Sequence, residues 1–367
     1  MTDPVAILRE LVAIDSTSAK SNLPILDVLE RHARALRFSR RRQTWTDAAG
    51  VRKGNLIAHR GAEQGGLALV GHTDCVPYDP AWEGALRPAI EGDKLSGRGA
   101  ADTKAFLAAM LTAASRTQAA PLQLVFTADE EVGCLGARRL ADEGSVRPRL
   151  AIVGEPTRMI PVLGHKGYCL AELTVHGVEG HSAYPETGAS AILAAGRLLR
   201  EIERIGEDLK TDADPRFAPP HTTLNVGLIA GGKAKNIIPG RCALTVEWRP
   251  LPSQDARRTL TLLEEAAARV SSAPIRVDVA VQRLDGGVLV PGDSEIVQFL
   301  QGQAGNAPAT IPFGTELPYL VEMGAQACVF GPGDIRVAHR TGEFVPLAEL
   351  SRAVEILAAA IERFAAP

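Results

Sequence analysis

His72 and Asp74 stand two residues apart just after a short apolar run, Leu67-Ala-Leu-Val70, with Gly71 freeing the backbone to turn before them. In an extended chain, residues at this spacing can share one face. The Asp74 carboxylate can then take the ring N–H that a metal-bound His72 leaves over. Alone, the pair describes a core histidine beside a loop aspartate. Asp102 alone could cap a helix, Glu155 could be a solvated loop charge and His339 a surface imidazole. Together, however, His72, Asp102, Glu131, Glu155 and His339 each lie just beyond a predicted strand. That concentration of two imidazoles and three carboxylates on one sheet edge is costly to bury without cations. Two Zn2+ ions would meet that cost, with Co2+ or Mn2+ as substitutes. Asp102 is the candidate bridge, since a carboxylate with two oxygens can span ions about 3.5 to 4 Å apart. Glu130 and Glu131 are adjacent, so their side chains diverge; one can bind metal while the other faces substrate as general base.

These residues need a scaffold that brings strand ends together. Apolar runs at Asn55–Ala58, Leu67–Val70, Leu122–Thr127 and Leu150–Val153 read as strands, separated by acidic loops and helical stretches such as Thr103 to about Ser115. Strand, acidic loop, helix in repetition is the pattern of a doubly wound α/β domain with a mixed sheet. From Gly164 the rhythm changes. Alternating segments at 169–177, 223–229, 242–249 and 275–281 and helical ones at 186–205 and 255–270 give the order β-α-β-β-α-β of a ferredoxin-like unit. The expected division is therefore a catalytic domain at 1–164 plus 284–367, interrupted by an inserted domain at 165–283.

The chain of 367 residues is long for one core, which agrees with two domains. A net charge of -3 leaves no basic footprint for nucleic acid. Arg37 with Arg40, Arg41 and Arg42 forms the only dense basic cluster and reads as a solvated helix end. Five cysteines without a Cys-x-x-Cys pair suit a reducing cytoplasm. No stretch supplies the ~18 uninterrupted apolar residues of a membrane span. The first residues read as Asp3 capping a helix with Pro4 at its first position, not as a signal peptide.

Four stretches carry a resemblance: Gly71-His-Thr-Asp-Cys-Val-Pro77, Gly97-Arg-Gly-Ala-Ala-Asp-Thr-Lys104, Phe126-Thr-Ala-Asp-Glu-Glu-Val-Gly133 and Val153-Gly-Glu-Pro-Thr157. Together they resemble the co-catalytic zinc amidohydrolase family of acetylornithine deacetylases, succinyl-diaminopimelate desuccinylases, aminoacylases and glutamate carboxypeptidases. The resemblance implies that His72, Asp102 and Glu155 bind one zinc and that Asp102, Glu131 and His339 bind the other. It implies that Asp74 orients His72, and that Glu130 takes a proton from water and returns it to the leaving amine. The inserted domain would be a lid that also dimerises, with His181 of Gly180-His-Ser-Ala-Tyr-Pro185 helping to hold the oxyanion in the partner's site.

Gly164-His-Lys-Gly167, Asn236-Ile-Ile-Pro-Gly240 and Phe313-Gly-Thr-Glu-Leu-Pro-Tyr319 are most similar to the branch that acts on N2-acetyl-L-ornithine. Acetylcitrulline, succinyl-diaminopimelate or another N-acyl amino acid are alternative substrates, and a non-catalytic amino-acid binder is a further alternative. Arg249 suits a grip on an α-carboxylate. Asn236, Gly314, Thr315 and Glu316 complete the expected substrate contacts, with Glu316 opposite a cationic substrate side chain. Thr103 stands where Met is common in the family, Ala105 where Gly is, and Cys75 where Thr is.

Overall fold

Asp3 caps helix α1 (Pro4–Val12) by accepting the Val5 N–H at 2.9 Å, and Pro4 occupies a first-turn position where its missing N–H matters little. Helix α2 (Leu23–Ala35) buries Ile25, Leu26, Leu29 and Ala33, four residues on one helical stripe. In this computed structural model, which describes residues 2–365, an antiparallel pair follows: β1 (Ser39–Thr46) and β2 (Arg52–Arg60).

Strand β1 corrects the expectation of a helix end at the arginine cluster. Alternation sends Arg40 and Arg42 to the face where α2 presents acids, with Arg42 2.8 Å from Asp27 and Arg40 3.6 Å from Glu30. Arg41 points the other way and donates to the Ser145 carbonyl at 2.9 Å. An edge strand tolerates this charge because only one of its sides must pair.

Strands β3 (Leu67–His72), β4 (Leu122–Thr127) and β5 (Leu150–Val153) are buried along their whole length, as continuous apolar runs in a parallel sheet should be. Helix α3 (Ala105–Ser115) connects β3 to β4, and α4 (Leu135–Asp142) connects β4 to β5. The chain then runs through β6 (Val162–His165) into the insertion.

The insertion contains β7 (Tyr168–His176), α5 (Ala191–Asp208), β8 (Thr223–Gly231), β9 (Arg241–Arg249), α6 (Arg257–Val270) and β10 (Arg276–Asp285). Beyond it come α7 (Glu295–Ala304), α8 (Leu317–Glu322), β11 (Gln326–Val329) and α9 (Leu347–Phe364).

Two units result. One comprises the chain up to Leu163, Val290–Ala309 and the chain from Thr315; the other comprises Gly164–Leu289 with Thr310–Gly314. The second unit thus extends past residue 283 and takes back a short later segment. In the first, the strand order is β1-β2-β4-β3-β5-β11-β6, parallel from β4 to β11 and antiparallel at both margins. The second has an antiparallel sheet of order β8-β9-β7-β10. There the alternating residues Cys169, Ala171, Leu173 and Val175 of β7 face a core shared with α5 and α6.

Candidate metal centre

Parallel pairing brings three strand ends level. His72 lies opposite Thr127, and Val70 lies opposite both Val125 and Val153. His72 therefore ends β3, Glu130 and Glu131 follow β4 at once, and Glu155 follows β5. Helix α3 lies tightly against these ends, which is why glycine stands there. A Cβ at Gly154 would lie 2.0 Å from Cδ1 of Phe106, and one at Gly71 would lie 2.7 Å from Cδ2 of Leu107.

Asp102 sits in the irregular turn before α3, in an extended conformation (φ -115°, ψ 93°) that directs it away from a capping role. Its Oδ1 is 3.1 Å from Nε2 of His72 and its Oδ2 3.2 Å from Nε2 of His339. One carboxylate thus spans two imidazoles. His339 adopts a left-handed backbone (φ 59°), an uncommon conformation for a non-glycine residue and one often kept at functional sites. Its Nε2 also lies 3.1 Å from Glu131. Two groups of donors emerge, His72 with Glu130 and Glu155, and Asp102 with Glu131 and His339, the ligand atoms within each group lying no more than 4.8 Å apart.

Asp74 meets His72 through its main chain. Its carboxylate is 3.7 Å from Nδ1 of His72, too far for a hydrogen bond, whereas its backbone carbonyl is 3.0 Å away. The main chain thus fixes the imidazole tautomer. The Asp74 carboxylate instead accepts the Glu130 N–H at 3.0 Å, the Glu131 N–H at 3.3 Å and the Ser18 hydroxyl at 2.7 Å. It holds the acidic loop and the imidazole in one frame.

Lys53, which the sequence did not single out, secures the same loop. Its ammonium lies 2.7 Å from the Asp129 carboxylate, both side chains being buried, and it also donates to the Ser18 carbonyl. Lys53 is one of several basic residues in β2, Arg52-Lys-Gly-Asn-Leu-Ile-Ala-His-Arg60, and nothing in that run sets it apart.

The electrostatics describe a site built for cations. Burial pushes the Glu130 carboxyl up to about 8 against the pull of His72, with Glu131, Glu316 and Asp102 pushing the same way as burial. Burial and the neighbouring carboxylates raise Glu155 well above its ordinary value, and burial and Asp102 raise Glu131. The His339 imidazole is raised to about 10 by its hydrogen bonds to Asp102 and Glu131. His72 is raised despite burial, chiefly by Asp102. Protons are thus held where excess carboxylates face too few cations, and divalent metals would replace them. Oxygen and imidazole donors without thiolate fit zinc or a similar borderline metal.

The remaining expected residues fall in different places. Thr315 and Glu316 are buried in the first unit at the start of α8. Burial pushes the Glu316 carboxyl up to about 7, against the lowering influence of His72 and of the neighbouring Thr127 hydroxyl. In the second unit, His181 and Asn236 meet on a two-stranded ribbon: His181 pairs with Ile237, and the Ser182 N–H donates to the Asn236 carbonyl at 3.1 Å. Arg249 ends β9 with its guanidinium 2.8 Å from Glu247 and 4.8 Å from the centre of the Tyr168 ring. Gly314 closes the short returning segment of that unit.

Comparison with known proteins agrees with this geometry. An acetylornithine deacetylase of Myxococcus xanthus is 52% identical over 367 residues, covering 98% of this chain and 97% of its own length. A tripeptidase of Staphylococcus aureus superposes with a TM-score of 0.81 at 22% identity, over 99% of this chain and 98% of that one. A Bacillus subtilis protein described as a dinuclear metal-binding peptidase superposes with a TM-score of 0.70 at 13% identity, over 98% of this chain and 97% of that one. Residues 68–363 match the family model of peptidase family M20/M25/M40, and the chain belongs to that family.

Proposed function

We infer that this enzyme is a dinuclear metal amidohydrolase that cleaves N2-acetyl-L-ornithine to L-ornithine and acetate, a step of arginine biosynthesis. The observation that carries the substrate is the 52% identity, over nearly the full length of both chains, to the Myxococcus xanthus acetylornithine deacetylase. Asp102, between His72 and His339, would bridge two zinc ions, with Glu155 completing one position and Glu131 the other. Bound there, the metals would polarise the acyl carbonyl and make water acidic enough to deprotonate near neutral pH.

Glu130 is the acid/base: the Asp74 carboxylate accepts its N–H at 3.0 Å and fixes it beside Glu131, where its carboxylate can take a proton from water and give it to the leaving amine. His181 is supported as an oxyanion donor by its tautomer. Its Nδ1 accepts the Ala183 N–H at 3.1 Å, so the neutral ring carries its proton on Nε2. The second unit would pair with a second copy of the chain. Strand β8 is an edge strand, and Leu228 and Leu193 are each 70% exposed. The five cysteines are buried and joined in no disulfide, which supports the cytoplasm as the compartment.

Glu316, a buried carboxylate in the first unit, would recognise the ornithine ammonium, and Arg249 the α-carboxylate. The test is hydrolysis of acetylornithine, acetylcitrulline, succinyl-diaminopimelate and acetylmethionine before and after dialysis against a chelator. Chelator-sensitive turnover led by acetylornithine is expected. An even spread across the panel would remove the substrate assignment, and turnover that survives metal removal would remove the mechanism. In the Glu316→Gln variant, an unchanged preference for acetylornithine over acetylcitrulline would rule out its recognition role.

A further inference from the structure

Four residues beyond His339, in the same loop, Glu343 is buried to 1% exposure. Its Oε1 accepts the N–H groups of Ala101 and Asp102 at 3.0 and 3.1 Å, and its Oε2 lies 2.6 Å from Nη1 of Arg98. Its backbone carbonyl accepts the Gly97 N–H at 2.9 Å. The segments continue as a ribbon, Ser96 opposite Phe344, Leu95 opposite Val345 and Lys94 opposite Pro346. Arg98 is itself fixed, its guanidinium 5.4 Å from the Trp82 ring centre and its Nη2 donating to the Pro77 carbonyl at 3.4 Å.

The turn that carries Asp102 and the loop that carries His339 are therefore clasped together by one carboxylate. His72 and Glu155 depend on no such clasp, because strands β3 and β5 place them. The geometry points to Glu343 as a positioning residue that acts chiefly on the metal position of Asp102, Glu131 and His339, and on the other only through the shared Asp102, because the sheet places His72 and Glu155. The inference rests on the two-metal reading and concerns only how the chain divides the work of holding the ions. Glu343 touches neither substrate nor ligand side chain. It aligns the main chain on either side of the bridging carboxylate, as groups behind metal ligands commonly do.

The experiment is titration of Zn2+, and separately Co2+, into the metal-free full-length chain against a chelating competitor, with the Co2+ electronic spectrum following each equivalent. Three proteins are compared: wild type, Glu343→Ala and Glu343→Gln. In Glu343→Ala the second equivalent should bind about 10- to 100-fold more weakly, and the first, which shares only Asp102, should lose no more than about fivefold. Glu343→Gln retains an oxygen for the two N–H groups and loses the Arg98 ion pair, so it should weaken the same equivalent by a smaller factor. If the alanine variant does not fold, the near-isosteric glutamine variant decides. Wild-type affinity for both equivalents, or equal loss of both, would overturn the role of Glu343. Wild-type protein that takes up fewer than two ions would instead overturn the two-metal reading itself, a result visible before any variant is made.

Discussion

The two sides of the metal centre are built differently. On the sheet side, His72 and Glu155 stand at the ends of buried strands, and their positions follow from parallel register and from two glycines that let α3 approach. On the loop side, Glu131 and His339 belong to segments without regular structure. His339 is 48% exposed, against 1% for His72. Order there comes from buried charge: Lys53 with Asp129, Arg98 with Glu343, and Asp74 receiving the N–H groups of the acidic loop. A sheet fixes ligands through repetition that many residues share, whereas a loop depends on a few polar contacts that can each be removed singly.

The sharpest way to break that contrast is to remove one such contact. Lys53→Met would leave the Asp129 carboxylate buried without its cation, and loss of one partner of a buried pair typically costs about 3 to 5 kcal/mol. Denaturant unfolding of the metal-free variant should show that loss; a change below about 1 kcal/mol would mean that the loop is held by something else. On the sheet side, Gly154→Ala forces a methyl group into Phe106, and overpacking of this kind costs about 1 to 3 kcal/mol. Phe106→Leu in the same chain should recover part of that loss, as thermal unfolding would report, because the clash is with that ring alone among the nearest neighbours.

A third test concerns pH. Without metal, His72 and His339 hold their protons more tightly in the folded chain than in the unfolded one. Their contribution to stability is therefore complete below about pH 6.5 and is lost as pH rises, through about 10 for His339. Glu130 acts in the same direction: its carboxyl is raised from 4.5 to about 8, so folding favours the protonated form and stability falls across that window. The metal-free protein should melt at progressively lower temperature from pH 6.5 to 10, and saturation with Zn2+ should flatten the trend. His339→Gln should remove the upper part of the window. An unchanged slope in that variant would assign the protons elsewhere.

The same division explains what could be read from the sequence. Apolar runs followed by His72, by Glu130 with Glu131 and by Glu155 are legible because each strand announces itself by composition and the acidic residue by adjacency. Alternation likewise exposes the β-α-β-β-α-β order of the second unit. Strand β1 escapes because three consecutive arginines carry no apolar period, and their partners Asp27 and Glu30 lie on a separate helix. Glu343 escapes for a related reason: a glutamate in an irregular loop has no pattern, and its partner Arg98 is 245 positions away in the chain. The spacing places Asp74 beside His72. Which of its oxygens would face the ring depended on the turn, where the carbonyl is the nearer.

The separation of Arg98 from Glu343 also orders events during synthesis. A ribosome delivers His72, Asp102, Glu130, Glu131 and Glu155 before it has made any of the second unit, and that unit can collapse on its own buried core as it emerges. His339 and Glu343 come last. Until then the nascent chain carries the carboxylates of the centre with a single imidazole, and the metal receptor is completed only after the second unit has been made.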